Sequence, residues 1–191
     1  WVARRIDIAR HWRERFPHAA PWRPSRLSKT AFVDVFGSVF EHSPFIAERT
    51  LARGLGAAND TAEGLAAAMT QTFRLASKDD RLGILKAHPD LAGKLALAGD
   101  LTEQSKSEQA GAGLDRLSEA ELARFTDLNT RYVARFGFPF IIAVKGLTKD
   151  DILTAFEARV DNDQATEFAT ACRQVERIAR LRIAQIFEDA A

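Results

Sequence analysis

The chain of 191 residues is long enough for one domain with a substantial core, and its 46% hydrophobic content is ordinary for a soluble globular protein. Its 27 basic and 26 acidic side chains nearly cancel, which argues against recruitment of nucleic acid or an anionic membrane by overall charge. Cys172 is the only cysteine, which excludes an intrachain disulfide and a cysteine-based zinc site and is typical of a reducing cytoplasm. No uncharged apolar run approaches the roughly 20 residues that span a bilayer, so we expect no membrane helix.

Residues 1–26 indicate a short helix followed by a loop interrupted by prolines, and we assign them no role. Residues 27–191 predict a single domain of amphipathic helices, the first of which carries an apolar stripe as far as Phe40. Only residues 138–145 suit a β-strand, and a lone strand has no partner. The fold class is therefore a compact all-α bundle of roughly seven or eight helices. The predicted helix starts are Ser28, Ser43-Pro44, Asp60 with Glu63, Ser77, Ser118 with Glu121, Asp150 and Asp163.

His88 lies where a helix is expected to end. Its spacing from Ile84 and Leu85 puts it on their apolar face, and Pro89 disfavours the α conformation for the residue before it. One interpretation is a histidine that satisfies the last carbonyl groups of the helix. The other is an acid or base held rigidly beside a cavity. Local sequence alone leaves both interpretations open.

Ser105 and Glu108 have the spacing of a capping box before the sequence AGAGL, and a helix start there is enough to explain both residues. A helix N-terminus also binds anions, because its first N–H groups have no partner within the helix. The same segment therefore suits a substrate carboxylate, a ureide or an oxyanion, with Glu108 facing the same space.

Arg182 interrupts the apolar stripe of the last predicted helix, whereas Arg173, Arg177 and Arg180 fall on another face that we expect to be solvated. A guanidinium in an apolar stripe needs a partner, because burying it unpaired costs several kcal/mol. The partner is either a buried Asp or Glu, in a structural ion pair, or a substrate anion that the planar fork binds at two points.

Other chemistries find little support in the sequence. The four histidines have no metal-ligand spacing, and no phosphate-binding loop or zinc-protease motif is present. Residues 136–146, FGFPFIIAVKG, interrupt the helices with apolar side chains and indicate an extended, buried segment. The backbone donors and acceptors of such a segment suit a planar ligand rich in amide groups.

Five segments of the chain resemble the 2-oxo-4-hydroxy-4-carboxy-5-ureidoimidazoline (OHCU) decarboxylase family. The resemblance runs from about Leu27 to Phe187 in the order and spacing of that family. The segments are FGSVFEHSPFIAERT (36–50), HPDLAGKLA (88–96), LTEQSKSEQAGAGL (101–114), NTRYVARFG (within 129–137) and FGFPFIIAVKG (136–146).

The resemblance implies that His88 is the general acid and that Glu108 and Arg182 complete the catalytic group. It also implies an all-helical fold, no cofactor, a small ureide substrate and a homodimer. The single cysteine indicates that the protein is cytoplasmic. The implied substrate-binding positions are Pro89, Ser105, Lys106, Ser107, Glu108, Gln109, Phe140, Ile141, Ile142, Ala143 and Val144.

The activity implied by the resemblance is cofactor-independent decarboxylation of OHCU to (S)-allantoin in urate catabolism. Two alternatives stay open. The first is a non-catalytic helical module that binds a small anion or a partner helix, in which Arg182 pairs with protein. The second is a lyase or hydrolase that acts on a different ureide.

Overall fold

The computed structural model describes residues 22–92 and 103–190. Within them the chain forms eight α-helices and no β-strand, which confirms the all-α prediction. None of these helices combines the length and apolar character that crossing a membrane requires. Single turns of 3₁₀ helix occur at Pro24–Arg26 and Ala57–Asn59. The α-helices are α1 (Lys29–Phe36), α2 (Phe45–Ala52), α3 (Ala62–Leu75), α4 (Lys78–Ala87), α5 (Glu103–Gly111), α6 (Glu119–Phe136), α7 (Lys149–Arg159) and α8 (Gln164–Ala190).

The helices belong to two compact units. The first contains the described residues up to Lys78 together with the end of α8 from Glu176 onward. The second runs from Asp79 to Val175 and contains α4 to α7 with the beginning of α8. The helix expected within residues 1–26 falls mainly on residues 1–21, which lie outside the described part of the chain.

Aromatic rings fill the core of the first unit. Phe32 packs on Phe36 with their ring centroids 4.9 Å apart, and Phe40 stacks on Phe73 at 5.3 Å. Trp22 covers Phe36 at 5.6 Å. Because these phenylalanine side chains are at most 1% exposed, the stripe predicted after Ser28 does form a core.

A second aromatic cluster fills the second unit. Phe140, in the irregular segment between α6 and α7, stacks on Phe156 with centroids 3.9 Å apart and planes 10° apart. Tyr132 of α6 meets both rings edge-on, at 5.4 and 5.6 Å. Edge-to-face and offset pairs are favourable beyond their buried area. The cluster therefore anchors Phe140, and with it the irregular segment, to α6 and α7.

Several helix boundaries follow the local signals. Ser28 accepts a hydrogen bond from the N–H of Ala31, and Ser118 forms a reciprocal capping box with Glu121. Gly137 ends α6 in the left-handed conformation, at φ 75°, where glycine lacks the Cβ that would make this conformation costly.

Other predicted boundaries are wrong. Asp60 does not cap α3, because both its carboxylate oxygens accept hydrogen bonds from Ser25, and Thr61 caps the helix instead. Ser43 donates to the carbonyl of Glu41 rather than capping α2. Helix α1 ends at Phe36, before the expected Phe40, and Phe40 is buried in the turn that follows.

Candidate active site

His88 follows the last residue of α4, as the proline after it predicts. Its side chain is buried, and Nδ1 lies 2.8 Å from the carbonyl oxygen of Ile84. A carbonyl oxygen only accepts, so Nδ1 must carry a proton, which leaves Nε2 as the nitrogen that can gain or lose one. The histidine therefore satisfies a helix carbonyl and is at the same time held in one tautomer.

The turn after His88 is held by two side chains from other helices. Gln109 of α5 accepts a hydrogen bond from the N–H of Ala92 at 3.0 Å, and Asn129 of α6 donates to the carbonyl of Leu91 at 2.9 Å. Ala92 adopts φ 50°, a left-handed conformation that costs a residue with a Cβ about 1–2 kcal/mol. The surrounding contacts therefore fix an intrinsically unfavourable turn directly after the histidine.

The residues of this turn, 88–92, are buried or half-buried. Burial raises the pKa of the Asp90 carboxyl above its ordinary value, because a charged carboxylate loses hydration there. Asn129 is 7% exposed, and among the described residues its Oδ1 has no hydrogen-bond partner. Asn129 was not singled out from the sequence, although a polar residue among Phe125, Leu128 and Tyr132 in a buried helical stripe is a usable signal.

Residues 105–109 lie inside α5, so the helix start predicted at Ser105 is wrong. The helix runs over Glu103–Gly111 and therefore starts before Ser105. Ser105 and Gln109 are buried, four residues apart on one face, and Glu108 is half-buried beside them. Lys106 and Ser107 are exposed.

The irregular segment at residues 140–144 is bonded to two further helices. The carbonyl of Ile141 accepts a hydrogen bond from Nη1 of Arg159 at 2.9 Å, and the N–H of Ala143 donates to Oε1 of Gln174 at 3.0 Å. Four of its five residues are buried, and Ile142 is half-buried. The segment is therefore buried and interrupts the helices, as the sequence indicates, and its extended conformation stays a prediction.

Arg159 is itself fixed by a buried carboxylate. Glu167 is 0% exposed and accepts hydrogen bonds from Arg159, from the hydroxyl of Tyr132 and from Asn162. Burial and the bond to Glu167 raise the pKa of the Tyr132 hydroxyl, so it stays protonated as a donor. Sequence analysis missed this network, because its members are individually ordinary and meet only in the folded chain.

Arg182 forms an ion pair with Glu41 of the first unit. Nη1 lies 2.8 Å from Oε2, and the two side chains are 4% and 1% exposed. The sequence allowed Arg182 either a buried acid or a substrate anion as its partner, and the structure contains the buried acid. Arg173, Arg177 and Arg180 are exposed, as predicted.

His88, Glu108 and the 140–144 segment belong to the second unit, and Arg182 belongs to the first. Within the second unit, Gln109 links the 105–109 helix to the turn after His88. No cluster of three or more His, Cys, Asp or Glu side chains in residues 22–92 and 103–190 has a geometry suited to a metal ion. Residues 93–102, which include parts of the signature segments 88–96 and 101–114, lie outside the described part of the chain.

A surface cleft of about 270 Å³ lies against α6 and α7, and none of its lining residues is a predicted site residue. Arg124 pairs there with Glu157, and Arg131 lies 3.5 Å from Asp127. Four of its five charged side chains are thus matched in pairs, and we assign the cleft no chemistry.

Comparison with known proteins identifies the family. Residues 25–184 match the OHCU decarboxylase family. The chain is 44% identical over 163 residues to the 2-oxo-4-hydroxy-4-carboxy-5-ureidoimidazoline decarboxylase of Haloferax volcanii, covering 85% of this chain and 93% of that protein.

Two solved structures are also similar. A crystal structure of (S)-allantoin synthase has a TM-score of 0.64 and 32% identity, covering 85% of this chain and 52% of that longer one. An OHCU decarboxylase crystallised in the presence of (S)-allantoin has a TM-score of 0.64 and 24% identity, covering 78% and 95% of the two chains, and supports the fold. The family match over most of the sequence, with a relative 44% identical over nearly its whole length, establishes that this chain belongs to the OHCU decarboxylase family.

Proposed function

We propose that this chain is a cofactor-independent carboxy-lyase that converts OHCU to (S)-allantoin in urate degradation. The observation that carries the proposal is the 44% identity to a decarboxylase of that name over 93% of its length. The buried, tautomerically fixed His88 supports it, since a decarboxylase must protonate carbon after CO₂ has left.

The substrate needs no external electron sink in this mechanism. Breaking the bond between the ring carbon and its carboxylate releases CO₂ and leaves an electron pair that spreads into the adjacent imidazoline C=N group. His88, as the imidazolium, then transfers the proton on Nε2 to that carbon and becomes the neutral Nδ1–H form. The Nδ1–H bond to the carbonyl of Ile84 is the same before and after this transfer.

The other predicted residues bind and orient the substrate in this proposal. Glu108 holds the ureido N–H groups, since the Ile84 carbonyl already fixes the His88 tautomer, and Arg182 binds ring carbonyl oxygens or the developing negative charge. The pairing of Arg182 with Glu41 supports an oriented guanidinium. Further contacts are assigned to Pro89, Ser105, Lys106, Ser107, Gln109 and the 140–144 backbone; burial favours Ser105 and Gln109 over the exposed Lys106 and Ser107.

The test generates the substrate from urate with uricase and hydroxyisourate hydrolase and follows allantoin by circular dichroism. Uncatalysed decay protonates both faces equally and gives a racemic product, so an excess of the (S) form reports catalysis. His88→Ala should lower turnover 10²–10⁴-fold, the usual contribution of a positioned acid. His42→Asn is a matched control at an exposed histidine whose left-handed backbone Asn tolerates. Near-normal rate and stereochemistry in His88→Ala would remove His88 from the mechanism.

One observation favours a second candidate, a non-catalytic helical module. That alternative expects Arg182 to pair with protein, and Arg182 does pair with Glu41. A module of this kind would bind (S)-allantoin or a similar ureide and leave the coupled reaction racemic. A different ureide-acting lyase or hydrolase would also leave it racemic, and would turn over another ureide instead.

We also propose a homodimer located in the cytoplasm, on the family resemblance and on the single, buried cysteine. Light scattering coupled to size-exclusion chromatography measures the mass directly. A mass near 21 kDa, that of one chain, contradicts the dimer.

A further inference from the structure

The 140–144 segment is held by protein at two residues that are two positions apart. Arg159, the last residue of α7, binds the carbonyl of Ile141, and Gln174 of α8 binds the N–H of Ala143. In an extended chain, the polar groups of residues i and i+2 lie on one side and those of residue i+1 on the other. The two bonds therefore have the spacing that holds one edge of an extended segment.

In the extended conformation predicted for this segment, Ile142, between these residues, belongs to the opposite edge. Its side chain is half-buried, and no hydrogen bond joins its N–H or carbonyl group to any of the described residues. A buried or half-buried peptide group normally has a partner. An adjacent donor and acceptor on one residue match the acceptor and donor of an amide or ureide.

Arg159 is rigid enough to set the position of this segment. The Glu167 carboxylate fixes its guanidinium, which also lies 4.4 Å from the ring centroid of Phe140. A guanidinium that is ion-paired and stacked at the same time loses little freedom when it binds a third group. The carbonyl of Ile141 thus meets a pre-oriented donor.

We propose that Gln174 and Arg159 are positioning residues of the reaction, which hold Ala143 and Ile141 so that the peptide groups of Ile142 face the ureide. This inference rests on the proposed function, which assigns residues 140–144 to the substrate. Gln174 and Arg159 touch the binding segment and act through it.

Gln174 provides the sharper test, because Arg159 also pairs with the buried Glu167, so that replacing Arg159 threatens the fold more. Gln174→Met keeps the length of the side chain and removes the acceptor, whereas Gln174→Glu keeps an acceptor oxygen. Gln185→Met, at an exposed glutamine of the same helix, is the matched control.

We expect Gln174→Met to raise KM about 2- to 10-fold with kcat within about 2-fold, since a neutral hydrogen bond contributes about 0.5–1.5 kcal/mol and a contact made equally in ground and transition states affects KM. Gln174→Glu and Gln185→Met should keep a KM near that of the parent. A merely structural role would lower stability without this separation of KM from kcat.

Hydrogen exchange at the Ala143 amide separates the inference from the proposed function. Exchange should be several-fold faster in Gln174→Met than in the parent or in Gln174→Glu. Unchanged exchange, or faster exchange with an unchanged KM, overturns the positioning role. If the parent chain makes no chiral allantoin, the proposed function fails, and exchange together with calorimetric titration of (S)-allantoin into the same variants decides the inference.

Discussion

Arg182 and Glu41, 141 residues apart in the sequence, are joined by a hydrogen-bonded ion pair of 2.8 Å that is almost completely buried. The carbonyl oxygens of Ser38 and Val39 lie 3.5 Å from the same Nη1 atom. Each charge is tolerated inside the first unit because the other is present. The end of α8 is thereby tied to the turn between α1 and α2.

Glu41→Gln should lower the free energy of unfolding by about 3 kcal/mol or more, because it leaves a buried guanidinium without its counter-charge. Urea denaturation measures the change. Replacing both residues in Glu41→Met/Arg182→Met should recover much of the loss, since neither charge of this pair then remains.

Asp127→Asn is the control for this prediction. Asp127 and Arg131 form an exposed pair on α6, and such pairs contribute about 0–1 kcal/mol. A Glu41→Gln variant as stable as Asp127→Asn would show that the buried pair contributes no more than a surface pair.

Asn129→Leu should separate stability from activity. The change removes the donor to the Leu91 carbonyl, but it also removes Oδ1, a buried acceptor without a partner among the described residues. These effects oppose each other, so we expect the free energy of unfolding to change by less than about 1.5 kcal/mol. Turnover should fall about tenfold or more, because the turn after His88 loses one of its two side-chain anchors.

Thr130→Val, at the next and exposed position of α6, is the matched control for Asn129→Leu and should keep full turnover. Parallel kinetic and denaturation measurements on both variants check the prediction. Turnover that falls only in proportion to the folded fraction would contradict an anchoring role for Asn129.

Stability should fall in acid partly through Glu121. Its hydrogen bond from Lys149 and the bonds from Ser118 lower the pKa of the Glu121 carboxyl from 4.5 to about 2. Because the folded-state pKa lies below the unfolded one, the stabilisation is complete above about pH 4.5 and is lost as the pH falls towards 2.

Glu121→Gln should therefore flatten the fall in unfolding free energy between about pH 4.5 and pH 2, and added salt should do so in part. Glu119→Gln, in the same first turn of α6, is the matched control, and its unfolding free energy should fall with pH as that of the parent does. Denaturation midpoints measured across this pH range provide the check, and identical profiles for the parent and Glu121→Gln would contradict the prediction.

The predicted boundaries that are correct depend on neighbours along the chain. Ser118 and Glu121 are three residues apart, and Pro89 acts on the residue directly before it, so their effects are visible in a short window of sequence. Asp60 fails as a cap because Ser25, 35 residues away, binds its carboxylate instead. A capping residue is thus predictable only while no tertiary partner competes for its side chain.

The residues of the candidate site, too, could be recognised from the sequence only in part. The family signature segments pointed to His88, Gln109 and the 140–144 segment, and the burial of Arg182 followed from its place in an apolar stripe. The roles assigned to these residues remain predictions. Asn129, Arg159 and Glu167 were missed, because each acts on a residue from a different element. Of the three, Asn129 alone has a local signal, as a polar residue in a buried apolar stripe.

The sequence by itself determined the helical class, the family and the end of α4 at His88, because periodicity, capping and a proline act over a few neighbouring residues. Only the tertiary structure decided that Glu41 is the partner of Arg182, that Gln109 and Asn129 anchor the turn after His88, and that Arg159 and Gln174 hold the 140–144 backbone. Those pairings join residues 17 to 141 positions apart, and hydrogen bonds between such distant groups exist only once packing has brought them within about 3 Å of each other.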